Sequence, residues 1–107
     1  MPDASIRELL TTLRRGLDRL YGDRLCGVFL FGSHARGQAS ADSDVDVLIV
    51  LDDITDYGRE RDRISHLTAP LSLDCDVSIS AVLMPRADWL HADGPFYLNV
   101  REDAIAA

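Results

Sequence analysis

Lysine is missing from this chain: all 11 basic residues are arginine, against 18 acidic ones, for a formal charge of −7. An all-arginine set beside plentiful Ala, Gly and Asp reads as a genome's codon bias rather than as a selected phosphate-binding surface. Non-specific nucleic-acid binding is driven by counterion release onto clustered positive charge, so the acidic balance argues against a long DNA or RNA substrate. Long hydrophobic runs are missing as well, none approaching the roughly 20 apolar residues of a membrane-spanning helix. The opening Met1-Pro2-Asp3-Ala4-Ser5 lacks the basic segment and apolar run of a secretory leader. The expected location is therefore the cytoplasm, with no membrane partner. Cysteine is scarce: Cys26 and Cys75 show no Cys-x-x-Cys spacing and each falls in an apolar segment, the setting of inert core thiols.

What is there is 107 residues, 47% of them hydrophobic, enough for one small core and not for two. A single domain over 1–107 is expected. Ser5-Ile6-Arg7-Glu8 has the form of a capping box. Ile6, Leu9, Leu10, Leu13, Leu17, Leu20 and Tyr21 recur at helical spacing, which predicts a helix over 5–21 stopped by Gly22. The apolar run Leu25 to Phe31, bounded by glycine, predicts a buried strand ending at Gly32, and Val45 to Leu51 predicts a second. Between them, residues 32–43 turn to Gly, Ser, Ala and Gln, the composition of a functional loop or short helical turn.

A charged helix is expected from Asp56 to Leu67, closed by Pro70. Leu73, Cys75, Val77 and Ile79 then alternate with Asp74, Asp76, Ser78 and Ser80. That period of two predicts a third strand with its acids and hydroxyls on one face. Pro85 to Leu90 suits a short helical turn anchored by Trp89, and Pro95 to Ile105 a final helix burying Phe96, Tyr97, Val100 and Ile105. The sum is a compact mixed αβ arrangement in which three strands share a polar, carboxylate-bearing face.

Gly32-Ser33, ten intervening positions and Asp44-Val45-Asp46 form a constellation that chance places in a chain of this length on the order of one time in a thousand. A glycine directly after a strand lets backbone amides approach a phosphate, and Ser33 adds a hydroxyl donor. Asp44 and Asp46 project from one face roughly 6.6 Å apart at about 3.3 Å per residue, so they can converge on divalent cations such as magnesium, which takes hard oxygen ligands. Turn chemistry explains Asp42-Ser43, but not a second in-phase aspartate inside a strand, where Asp is depleted. Asp76 is another acid expected in a strand interior. Arg36 lies in the same loop and its guanidinium fork suits phosphate. A solvated His34 is expected, His66 and His91 have no ligand spacing, and Trp89 with Phe96-Tyr97 reads as core rather than as a base-stacking platform.

The fuller pattern, Gly32-Ser33-His34-Ala35-Arg36-Gly37 with Ser43-Asp44-Val45-Asp46, resembles the minimal nucleotidyltransferase (MNT) proteins of the DNA polymerase beta-like superfamily. Phe96-Tyr97-Leu98-Asn99-Val100-Arg101-Glu102 resembles the tail of that family, except that the family continues with Gly where Asp103 stands. The resemblance implies an α+β polymerase beta-like nucleotidyltransferase fold, a small mixed sheet of at least three strands flanked by helices. It implies that Asp44, Asp46 and a third acid on a later strand bind two magnesium ions, with Gly32 and Ser33 holding the phosphates of ATP. Asp76 matches the third acid better than Asp74, though both fall on the same face. It further implies transfer of AMP to a hydroxyl of a partner protein, a HEPN-type toxin for which such proteins serve as antitoxins. The alternatives are a catalytically silent antitoxin that acts by binding, and a subunit modifying an aminoglycoside-like small molecule.

Overall fold

The computed structural model describes residues 4–40, 43–91, 94, 98, 100–102 and 104–107. Helix α1 spans Ala4–Tyr21, and its stripe of Ile6, Leu9, Leu10, Leu13, Leu17 and Tyr21 is buried, as the helical spacing requires. It begins at Ala4, so Ser5 lies inside the first turn rather than ahead of it. Gly22, at φ +57, leads through a 3-10 turn, Gly22–Arg24, into strand β1, Leu25–Phe31. A five-residue helix α2, Gly32–Arg36, follows, then β2, Val45–Leu51, and the long helix α3, Tyr57–Cys75. Strand β3, Ile79–Pro85, helix α4, Arg86–His91, and a two-residue strand β4, Ile105–Ala106, complete the order.

The sheet is four-stranded and mixed, in the order β3-β2-β1-β4. β1 pairs antiparallel with β2 and with β4, and β2 pairs parallel with β3. β2 is central and buried on both sides, which is why its sequence is almost continuously apolar. Val45, Val47, Ile49 and Leu51 join the core formed with α1 and Ile64 of α3. Leu48 and Val50 face a second core with Met84 and Val100, closed by Phe29, Phe31, Val82 and Trp89. The sheet face that carries Asp46 is thus polar only at its end and apolar further along. Trp89 belongs to this core as expected, with its ring stacked on Phe29 at 4.8 Å and Arg101 lying over it.

The structure corrects the reading of residues 67–80. Pro70 lies inside α3, which runs on to Cys75, and β3 begins only at Ile79. A proline forfeits one backbone hydrogen bond, while Leu67 and Leu71 still pack against the core on the α1 side and hold the helix beyond it. Alternation over 73–79 was a coincidence of composition: Leu73 is 84% exposed. Asp76, at φ +52, ends the helix, and Ser72 O accepts from both Asp76 N and Val77 N. Ile105 lies in β4, not in a helix, although Leu98, Val100, Arg101 and Glu102 are helical. Both cysteines are exposed rather than buried. A bulge between Leu25 and Gly27 sets Cys26 out of the ladder, and Cys75 is the last residue of α3. Phe96, Tyr97 and Asp103 lie outside the described residues. Among the described residues, no helix is long and apolar enough to cross a membrane.

The ends of β1 and β2 away from Gly32 are clamped by charge. Glu60, in the first turn of α3, is only 4% exposed. Its carboxylate lies 3.4 Å from Arg24 Nη2 and accepts from Arg63 Nη1 at 3.2 Å. Arg24 also donates to Asp52 Oδ1 at 3.2 Å and to Asp53 O at 3.1 Å, joining the start of β1 to the end of β2. Tyr21 faces this cluster, and burial followed by the Glu60 charge pushes its phenol pKa upward. Removing one member of such a cluster strands its partners. Glu60→Ala is expected to cost about 2 kcal/mol, moderated because both arginines are partly solvated. Urea denaturation at neutral pH measures it, and a change under about 0.5 kcal/mol would show the cluster to be surface decoration.

Candidate active site

β1 runs out at Phe31, directly across the antiparallel ladder from Asp46, and the next residue turns the chain at φ +76. That residue is Gly32. A Cβ there would lie 2.3 Å from Asp46 Oδ2, so left-handed backbone and close approach to a carboxylate together demand glycine. Ser33 follows, half-buried at the start of α2. The helix ends at Gly37, also left-handed, where Gln38 N donates to Ser33 O at 2.9 Å.

The return loop is pinned at Ser43. Ser40 N donates to Ser43 Oγ at 2.9 Å, and Ser43 N donates to Ser40 O at 3.1 Å. From α2, His34 Nε2 reaches Ser43 O at 3.3 Å. A carbonyl oxygen can only accept, so this ring nitrogen carries the proton. The residue expected to be solvated is instead half-buried and bonded across the loop. Its signal in the sequence was only its place in a short turn between two strands. Asp44 comes next and is exposed, then Val45, whose N donates to Ser78 O at 2.8 Å, then the half-buried Asp46.

Burial raises the Asp46 carboxyl above its ordinary 3.8, and the neighbouring Asp44 charge adds to the shift, while His34 and Arg36 pull weakly the other way. Arg36 itself is exposed at the end of α2, with Nε donating to Gln38 Oε1 at 3.3 Å. Across the parallel ladder Ser80 stands beside Asp46, and Ser78 falls beside Asp44 one step before the first paired residue. Asp76 is not in a strand but at the exposed end of α3, and Asp74 is within that helix. Among the described residues, no group of three His, Cys, Asp or Glu is placed to hold a metal ion. The structure therefore brings Gly32, Ser33, His34, Asp44 and Asp46 together with Ser78 and Ser80, and leaves Asp76 apart. Two like-charged carboxylates beside serine hydroxyls are a hard-oxygen set of the kind magnesium takes, with water and phosphate completing its shell.

Residues 10–90 match the family described as the nucleotidyltransferase domain. Over 78 residues the chain is 33% identical to the protein of Methanocaldococcus jannaschii assigned as protein adenylyltransferase MJ0141, covering 73% of this chain and 78% of that one. It is 35% identical over 78 residues to protein adenylyltransferase MntA of Thermococcus cleftensis, covering 73% and 77%. Among solved structures, a toxin-antitoxin with AMP-PNP matches at TM-score 0.59 and 20% identity, covering 95% of this chain and 68% of that one. A mutant of the toxin-antitoxin MntA-HpeT matches at TM-score 0.57 and 17% identity, covering 99% and 71%. These likenesses show the fold.

Two outcomes follow from the Gly32–Asp46 contact. Gly32→Ala should cost about 1–2 kcal/mol through its left-handed backbone alone, measured by urea denaturation, whereas a neutral result would show that the turn relaxes freely. Asp46 holds its proton more tightly folded than unfolded. Its contribution to stability is therefore present at low pH and lost as pH rises from 3.8 through the raised value. Metal-free Asp46→Asn should consequently gain on the wild type as pH rises toward neutrality, with the gap closing on acidification. A gap that does not change with pH would contradict the raised carboxyl, held up by burial and then by the Asp44 charge.

Proposed function

Because the chain belongs to the nucleotidyltransferase domain family, and is a transferase by that membership, we propose that it moves AMP from ATP onto a hydroxyl of a partner protein. The curated relatives named as protein adenylyltransferases support the acceptor class. The toxin-antitoxin assemblies among the fold neighbours support a toxin as partner, and a HEPN-type toxin is the partner that the resemblance to MNT antitoxins favours. The single observation carrying the reading is the junction between the end of β1 and the start of β2, where Gly32 touches Asp46 and Ser33 follows in α2.

Asp44 and Asp46 are the acids that would hold two magnesium ions, which when bound neutralise the triphosphate and the charge that develops during phosphoryl transfer. Gly32 lets the backbone approach the phosphates without a side chain in the way, and Ser33 offers a hydroxyl donor. Exposed Arg36, at the far end of the same turn, would meet phosphate charge from solvent. The acceptor oxygen forms a bond to the α-phosphorus as the bond to the β-phosphate oxygen breaks, so pyrophosphate leaves and the hydroxyl proton passes to a carboxylate. We assign that third acid to Asp76. It caps the end of α3, where the chain turns toward Ser78 and the start of β3. Asp74, inside α3, has no such continuity with the sheet.

The test is incubation with labelled ATP, magnesium and a purified HEPN-type toxin from the same genome. AMP should appear on the toxin as a covalent adduct, and Asp44→Asn or Asp46→Asn should lower the rate by about 100-fold or more. Asp76→Asn should be far more damaging than Asp74→Asn. Near wild-type transfer by Asp46→Asn would end the assignment of the site, and neutralisation of the toxin without any adduct would leave a binding antitoxin.

A further inference from the structure

His34 is absorbed by none of the roles above, yet its side chain makes a bond that crosses from α2 to the segment entering β2. Its partner, Ser43 O, belongs to the residue immediately before Asp44. Among the described residues, the other bonds at Ser43 run to Ser40, within the same loop. Bonds between residues 40 and 43 give the loop a shape without giving it a place. Among the described residues, the body of the sheet takes hold at Val45, through Ser78 O. α2, by contrast, is tied to the body of the fold, by Gly32 against Asp46 and by buried Ala35 in the core shared with α1.

We propose that His34 is a positioning residue that holds the Asp44 segment at a set distance from Ser33, and so fixes one carboxylate of the site relative to the phosphate-binding turn. This rests on the transferase reading. A half-buried ring is stiffer than the long exposed side chain of Arg36 two residues on, and the donor is aimed at backbone, so Ser43 is placed whatever its own side chain does. Misplacement of a reacting group by about 1 Å costs on the order of 100-fold in rate. Nucleotide affinity draws on phosphate contacts made elsewhere in the turn. Loss of the latch therefore falls on turnover rather than on nucleotide binding.

The decisive comparison is His34→Leu, which fills the same half-buried space without a donor, against His34→Gln, which restores an N–H. His34→Leu should lower kcat at least about tenfold, equivalent to about 1.4 kcal/mol, with KM for ATP within about threefold. His34→Gln should recover most of the loss. Hydrogen exchange in the metal-free, nucleotide-free protein supplies a readout independent of activity: amides of Ser43 and its loop neighbours should exchange faster in His34→Leu and return toward wild type in His34→Gln. Equal kcat in wild type and His34→Leu, equal damage by Leu and Gln, or unchanged loop exchange would each overturn the proposal. Absence of transfer by the wild type would remove the transferase reading instead, and the exchange experiment would still decide whether His34 holds the loop.

Discussion

Everything at this site hangs on the register of one strand pair. Phe31 opposite Asp46 places the turn after β1 against the carboxylate on β2, and the contact is close enough that a single methyl group would collide with it. A slip of one residue would turn Asp46 to the opposite face, because side chains alternate with a period of two. The register is secured by burial rather than by the site itself. Val45, Val47, Ile49 and Leu51 must face the α1 core, and Leu48 and Val50 the smaller one. With both faces of β2 committed to cores, Asp46 has one orientation available to it.

That arrangement opposes local stability to chemistry. Asp46 sits where burial and a neighbouring aspartate both disfavour its charge, a cost the fold sustains because the two cores lie directly behind it. At the other end of the same strands, Arg24 binds Asp52, Asp53 O and Glu60, so attraction gathers the chain where no substrate is expected. At the mouth, Asp44 instead repels Asp46. Such division is the common pattern of functional sites, where perturbed carboxylates cluster.

The parts legible in the sequence were those whose signal is local. The apolar run closed by Gly32 and the apolar run after Asp44 marked β1 and β2, and the Gly32-Ser33 to Asp44-Val45-Asp46 spacing located the junction that the fold then assembled. The failures share a cause, which is tertiary context. Ile64, Leu67 and Leu71 form a helical stripe that packing carries past Pro70, while the alternation of Leu73, Cys75 and Val77 offered a more regular local pattern with no core to meet. β4 is two residues long and exists because the outer edge of β1 was open to pair with it, a fact no propensity encodes. From sequence His34 reads as solvated because its partner is a backbone carbonyl nine residues away, and backbone acceptors leave no mark in a sequence.

The two thiols, having failed to be core, acquire another use. Cys26 sits near the start of β1, about 20 Å along the strand from Gly32 at roughly 3.3 Å per residue, and Cys75 directly precedes Asp76; both are exposed. In a chain with no other cysteine, they are a native pair of spin-label or fluorophore attachment points, one at the anchored end of the sheet and one at the junction of α3 with the path into β3. A distance distribution between them, recorded with and without magnesium and nucleotide, reports directly whether the end of α3 travels toward the aspartates when the site is filled, with no residue engineered into the protein.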